Sequence, residues 1–431
     1  MGAVNVPRLA LWGAVAAVLI LAPVDLRHSV QASSVVLHQS FALSMLSQMG
    51  IAVIFALSYN MLLGQTGELS FGHAVYYGLG AYVVAHTLNA IAAHKLSLPV
   101  TLLPLVGGLA GLGFGILFGY VTTRRSATAF AMISLGIGEM VAACALMFPA
   151  FFGGEGGIAT NRQVGHPVLG ISYGPQIQVY YLIAAWCLIS MIAMFAFTQT
   201  PLGRMANAVR ENPERVRFVG YNPTRVRYIV FCLSSFFAGI AGSLGAVNYE
   251  IVTAENLGVV ASGNVLLMTF IGGVGQFYGP VIGAVLVSFL QSALSSYTQA
   301  WQLYFGLFFV LMLMFAPGGI SSLIALHAPV LRARWTVQAW LLLAYLAAAA
   351  AALVLILGVI ALVEMTYHLK MADQLGKAFK LFGVGLDTDR SGAWLGAAAV
   401  ALLGGVLLCF AVKPVRRAWA AVNAQLQGGG Q

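Results

Sequence analysis

Charge is scarce in this chain. Only 8% of its 431 residues are charged, with 12 acidic against 21 basic. Soluble globular domains carry about 25% charged residues, so this composition cannot clothe a water-facing surface. A soluble fold is excluded. Cysteine is also rare: Cys144, Cys187, Cys232 and Cys409 all lie within apolar runs without C-x-x-C spacing. That excludes a disulfide framework and a thiolate metal site, and leaves buried inert thiols as the expectation. Catalytic motifs are missing as well. There is no G-x-x-x-x-G-K-[ST] phosphate loop, and Lys377 follows Gly376 without the rest of it, so the chain does not hydrolyse ATP by that route. H-E-x-x-H is absent too, so that metal set for membrane hydrolase chemistry is missing. No internal repeat and no low-complexity linker is visible.

Apolar residues fill the space left by these absences. They make up 60% of the chain, the mean hydropathy is +0.90, and runs of about 20 such residues recur, the length a helix needs to cross a bilayer. Helices satisfy every backbone polar group internally, so the expected fold is all-α, a polytopic transmembrane helical bundle with discontinuous helices and about 10–12 membrane segments. The runs fall near 9–24, 40–63, 71–92, 98–121, 126–149, 177–198, 228–247, 265–294, 301–315, 339–363 and 392–412. The first follows Arg8 and has no small-x-small cleavage pattern after it, so it reads as an uncleaved span. The run at 265–294 is too long for one crossing and is interrupted by GGVGQFYGP, so it reads as two segments with a break.

The stretch TPLGRMANAVRENPERVRFVGYNPTRVR, residues 200–227, carries six arginines between two apolar runs. So much positive charge on a short connector marks it as cytoplasmic. With this loop inside and the runs alternating, 14 of the 21 basic residues fall inside, among them Arg124, Arg125, Arg416 and Arg417. Both termini are then cytoplasmic. These arginines at span ends also account for the net charge of +9, so no nucleic-acid partner is expected, only lipid. The loop's local chemistry predicts three helices: Thr200 caps one starting at Pro201, Asn212 one starting at Pro213, and Asn222 one starting at Pro223, with Gly220 just past a helix end. The middle piece, about 10 Å long, is marginal in water without something packed against it. That points to a partner protein at Arg204, Arg210, Glu211, Asn212, Pro213, Arg217 and Gly220.

Two membrane stretches bear polar groups. In SYNMLLGQTGELSFGHAVYYGLGAY, Asn60, Thr66, Glu68, Ser70 and His73 stand where lipid penalises them, among glycines such as Gly72 that let backbone bend. A broken helix facing a polar cavity fits, and so does a cytoplasmic connector followed by a packed glycine-rich helix. In IGGVGQFYGPVIG, Gly272, Gly273 and Gln276 fit either a discontinuous helix lining a path or a tight turn between short spans. Gly107, Gly111, Gly115 and Gly119 recur every four residues and share one helix face, which predicts close helix packing. Glu139 stands in mid-span, either functional or hydrogen-bonded in place. The glycine-rich loop 150–176 offers an outer surface for a partner, and MADQLGKAFKLFGVGL reads as an interfacial amphipathic helix or as an ordinary loop.

GQTGELSFGHAVYYGLGAY, RMANAVRENPERVRFVGYNPTRVR, AGIAGSLGA, GGVGQFYGPVIGA and FAPGGI, in this order, resemble the permease subunits of branched-chain amino acid ABC importers of the Liv type, over about residues 40–325. The resemblance implies an inner-membrane subunit that pairs with a second permease subunit, two cytoplasmic ATPases and a periplasmic or extracellular solute-binding protein. It implies no cofactor on this chain, ATP being used by the partner subunits, and no catalytic residue. The family's coupling loop would fall on the Glu211, Asn212 and Gly220 stretch. The family usually has glutamine where this chain has Glu68, which leaves the substrate open among branched-chain amino acids, urea, short amides and aromatic acids. An ion-coupled secondary transporter is the competing class, and it would need charged pairs within the membrane. The expected division is a permease domain at 1–330 and an extension at 331–431 with two further spans, beyond the usual end of such permeases.

Overall fold

The computed structural model describes residues 15–23, 36–125, 127–164, 172–327, 330, 335–370, 378–381, 384–388 and 391–428. Parts of the predicted first span, the outer-loop residues 165–171, Arg332, Arg334 and the stretch 371–377 lie outside them. The chain divides into two compact units, Met1–Tyr297 with Phe305–Ser322, and Thr298–Tyr304 with Leu323–Gln431.

A short helix α1 (15–23) comes first. It is followed by α2 (Val36–Asn60), α3 (Ala74–Ala92), α4 (Leu103–Thr122), α5 (Thr128–Met147) and the single turn α6 (Pro149–Phe152). Next come α7 (Gln176–Gln199), α8 (Pro201–Glu211), α9 (Pro213–Phe218), α10 (Pro223–Tyr249), α11 (Val259–Gly272) and α12 (Gly279–Tyr297). The chain continues as α13 (Trp301–Phe315), α14 (Gly319–His327), α15 (Trp335–Lys370) and α16 (Ser391–Gly428).

Among the described residues, eight helices are long and apolar enough to cross a membrane, nine if the pair α13 and α14, bent by 47°, is one span. Three stretches account for the shortfall against about twelve. α3 has the length, but Tyr, His and Asn lower its hydropathy; α11 has only 14 residues; and only nine residues of the first run are described as helix.

α10 is the centre of the first unit. Its most apolar stretch is 83% buried, against 11% for α15 and for α16, and it packs on α4, α3 and α2. Small residues explain the fit. A Cβ added at Gly107 or Gly111 of α4 would collide with Ser243, Gly239 or the Ser235 carbonyl of α10, and one at Gly242 of α10 with the Tyr77 carbonyl of α3. The predicted glycine face is therefore a packing face, where two backbones approach because no side chains hold them apart.

Outside the bilayer-length helices, β1 (Ile158–Ala159) pairs antiparallel with β2 (Ile251–Val252), Ile158 opposite Val252. Arg162 secures this corner: its guanidinium donates to the carbonyls of Tyr173 at 2.9 Å, Gly174 at 3.1 Å and Asn248 at 3.2 Å. The described residues of the α6–α7 connection are thereby tied to the end of α10 and, through Gln176, to the start of α7.

In the second unit, Glu364 of α15 accepts hydrogen bonds from Thr298 at 2.6 Å and Tyr304 at 3.0 Å. Elsewhere in it the Trp419 indole donates to the Tyr345 hydroxyl at 2.7 Å, and that hydroxyl lies 2.7 Å from His327 Nε2.

Two expectations are corrected. The stretch read as an interfacial amphipathic helix or an ordinary loop forms, over its described part, the antiparallel strands β3 (Ala378–Leu381) and β4 (Val384–Asp387). Apolar residues at every second position in AFKL and VGLD match a strand's period, not a helix's. The four thiols are not all buried, since Cys144 is half-buried and Cys409 exposed. Glu139, left open between a functional and a hydrogen-bonded role, is exposed on α5.

Candidate functional site

The helix begun by α2 does not end cleanly. At Asn60 it widens into a π-helical turn, Met61–Thr66, and stops at Gly67, whose φ of 73° is left-handed. Such a conformation suits glycine because a Cβ would be strained there. The chain then crosses six residues before α3 starts. The stretch is thus a complete span, a short connector and a packed glycine-rich helix that folds back, Ser58 lying against His73 and Phe55 against Tyr77.

The polar groups of the break are buried and mostly tied back into the bundle. Thr66 Oγ1 donates to the Leu62 carbonyl at 2.7 Å, and the Tyr59 hydroxyl to the Ser70 carbonyl at 3.0 Å. His73 Nε2 lies 3.0 Å from Ser58 Oγ, its ring stacked on Phe55 and edge-on to Tyr59. Two amides of the break are satisfied from other helices: Phe71 N–H by Ser134 Oγ of α5 at 3.1 Å, and Ala74 N–H by Ser262 Oγ of α11 at 3.0 Å. Gly72 lies against the Ser134 carbonyl with no room for a Cβ. Asn60 Oδ1, Ser70 Oγ and His73 Nδ1 are buried without a partner.

Glu68 is 2% exposed. Its carboxylate lies 2.9 Å from Arg227 Nε at the start of α10 and accepts from Ala127 N–H at 3.2 Å. Burial nevertheless raises its pKa from 4.5 to about 7, outweighing the opposing pull of Arg227 and the Ala127 amide.

The second break, residues 273–278, is the tight-turn reading of its stretch: it joins α11 to α12, which fold back on each other, Gly272 against the Gly279 carbonyl and Gly283 against the Met268 carbonyl. Gly273 has φ of 110° and Gly319 of 71°. A Cβ on Gly319 would strike Gly273, and one on Gly272 the Gly279 carbonyl. GGVGQFYGP and FAPGGI, whose Gly273 and Gly319 are 46 positions apart, are thus one backbone-on-backbone contact. Gln276 Oε1 is buried without a partner, and Phe277 meets Phe195 of α7 edge-on at 5.3 Å between ring centres.

The predicted three-helix loop is present with its caps. Thr200 Oγ1 accepts from Gly203 N–H at 3.2 Å, and Asn212 Oδ1 from the amides of Glu214 at 3.0 Å and Arg215 at 3.1 Å. Asn222 Oδ1 accepts from Thr224 N–H at 3.0 Å. Gly220 has φ of 89°. Arg204, Glu211, Pro213 and Arg217 surround α9 at exposed or half-buried positions, and Phe218 at its end is 90% exposed.

Gly64 is where the three stretches meet. Arg210 of α8 donates to the Gly64 carbonyl at 2.6 Å. A Cβ on Gly64 would also lie 2.9 Å from the carbonyl of Val274 in the second break. Loop and both breaks are in direct contact.

Sequence reasoning missed a cavity of about 250 Å³. α2 lines it with Gln48, Ile51, Ala52 and Phe55, and α11 with Ala261, Asn264, Val265 and Met268. Ser288 and Gln291 of α12, Tyr77, Tyr249 and Asn256 complete it. Asn60, Thr66, Glu68, Ser70, Gly72, His73, Gly272, Gly273 and Gln276 are not among its walls. Within the same stretches, Gly67 lies against Arg210 of α8 and Gly64 against Val274. The available signal was an amide within each apolar run, Gln48, Asn264 and Gln291, with the cavity residues of α2 and of α11 at positions i, i+3, i+4 and i+7.

Eight helices of membrane-spanning length among the described residues, with a polar cavity between α2, α11 and α12, define a polytopic membrane protein. The chain belongs to the family described as branched-chain amino acid transport system / permease component, whose sequence model matches residues 41–317. It is 30% identical over 292 residues to the high-affinity branched-chain amino acid transport system permease protein LivM of Salmonella typhimurium, and 29% to its namesake from Escherichia coli. Each alignment covers 63% of this chain and 67% of the relative. The permease protein BraD of Pseudomonas aeruginosa is 22% identical over 280 residues, 62% of this chain and 90% of its own. No solved structure matches the chain.

Proposed function

We propose that this chain is the transmembrane subunit of an ATP-binding cassette importer for branched-chain or related amino acids, forming part of the translocation path and taking its energy from separate ATPase subunits. The observation that carries the reading is the convergence at Gly64, where Arg210 of the arginine-rich loop donates to the backbone at the first break beside the second. A push on the loop is therefore transmitted directly to both breaks.

In this reading the ATPases dock on α9, whose Phe218 and Val219 are 90% and 69% exposed beside Arg215 and Arg217. A six-residue helix ending in bare apolar side chains is what a partner-dependent element needs. Closure of the ATPases moves α8 and α9, and Arg210 and Arg227 carry the motion to the α2–α3 break. A second permease subunit completes the path, and a periplasmic or extracellular solute-binding protein delivers the cargo at the loop braced by Arg162. The chain sits in the bacterial inner membrane with both termini cytoplasmic and binds no cofactor itself. Residues 1–330 are the permease domain, and 331–431 an extension outside the family match.

The experiment is ligand-stimulated ATPase activity of the complex reconstituted in liposomes, screened across leucine, isoleucine, valine, urea and aromatic acids. Stimulation by one ligand class that is lost without the binding protein supports the proposal. Uptake by this chain alone, driven by an ion gradient and indifferent to ATP, overturns it.

A further inference from the structure

The cavity between α2, α11 and α12 has two kinds of wall. Gln48, Asn264, Ser288 and Gln291 offer neutral polar groups, whereas Ile51, Val265 and Met268 offer apolar surface. No Asp, Glu, Lys, Arg or His lines it. Ser288 is 0% exposed and its hydroxyl has no hydrogen-bond partner. Such a group is costly to bury unless something pairs with it. Gln291 Nε2 reaches Asn264 Oδ1 only at 3.5 Å, a bond long enough to yield to a better partner. At about 250 Å³ the space falls below the roughly 300–1,000 Å³ of drug-sized sites.

A ligand of net charge would be stripped of water here with no counter-charge to meet it. A zwitterion is neutral overall, and a primary amide presents both a carbonyl acceptor and N–H donors. We propose that this cavity is the station at which the permease holds its cargo within the membrane, and that it takes a small amino-acid zwitterion with an apolar side chain. The amides and Ser288 pair with the ammonium and carboxylate, and the Ile51, Val265 and Met268 wall receives the side chain. This inference rests on the permease reading above.

Two variants test it. In liposomes holding the complete complex, the Asn264→Ala/Gln291→Ala pair lowers ATP-driven uptake of radiolabelled leucine about ten-fold or more, while the complex is recovered at parental yield. If the parent chain itself shows no ATP-driven uptake, the permease reading falls and takes this one with it. If the parent transports and the double variant equals it, the cavity assignment alone falls. Ala261→Cys, at a half-buried position on the same cavity wall, guards against a loss caused by misfolding. Its modification by a methanethiosulfonate, measured above the parent chain's own thiols, is slowed about ten-fold by saturating leucine and unchanged by lysine or aspartate. Equal protection by lysine, or none by leucine, overturns the proposal.

Discussion

Arg227 Nε stands 2.9 Å from Glu68 Oε1, joining the first residues of α10 to the break between α2 and α3, with side chains only 13% and 3% exposed. The pair is close but not aligned as a hydrogen bond, and burial leaves the Glu68 pKa near 7. A folded-state pKa above the unfolded 4.5 means the protonated form favours folding. That contribution is complete below about pH 4.5 and is lost as the pH rises through 7. Thermal stability of the purified protein is therefore expected to decline between about pH 5 and 8, and Glu68→Gln to flatten that slope. Unfolding midpoints across this range, read for both proteins, check it; parallel slopes would show that Glu68 is not responsible.

Gly72 leaves no space between the first break and α5. A Cβ there meets the Ser134 carbonyl, which is backbone and cannot rotate away, whereas one at Gly136 of the same helix α5 meets nothing within 4 Å. Gly72→Ala is expected to destabilise the protein by about 1–3 kcal/mol through overpacking. Gly136→Ala serves as the neutral control. Chemical denaturation in detergent separates the two.

Asn212 holds the first turn of α9 through two backbone amides. Asn212→Ala should remove about 1 kcal/mol of local stability, which a six-residue helix cannot spare, and Asn212→Asp should retain it. Gly220 has open space around it, but its φ of 89° lies outside proline's range. Gly220→Pro is expected to uncouple ATP hydrolysis from uptake while the membrane fold persists. Uptake and hydrolysis measured on the same liposomes decide this, and unchanged uptake would remove the coupling role from this loop.

The family match ends at residue 317. Truncation after His327, the last residue of α14, removes α15 and α16 and is expected to preserve transport while lowering thermal stability, because Thr298 and Tyr304 lose Glu364 as acceptor. Uptake assays of the shortened chain check this. Complete loss of uptake in a correctly assembled complex would place a transport role in the extension.

The sequence by itself left open whether the two glycine-rich stretches are broken helices or connectors, but determined the membrane class, most of the helices and the three caps of the arginine-rich loop. These depend on local chemistry: apolar length, glycine's left-handed freedom, and asparagine or threonine placed one residue before proline. The paired strands at 378–381 and 384–387 escaped because an eight-residue alternation is easily mistaken for a short helix. The tertiary structure alone decided which distant groups meet. Arg210 finds Gly64 across 146 positions, and Gln48, Asn264 and Gln291 come from three helices that each look nearly uniform in apolar character. A single amide in an apolar run is ambiguous until packing shows what it faces, so the cavity depended on the arrangement of α2, α11 and α12, which no one segment encodes.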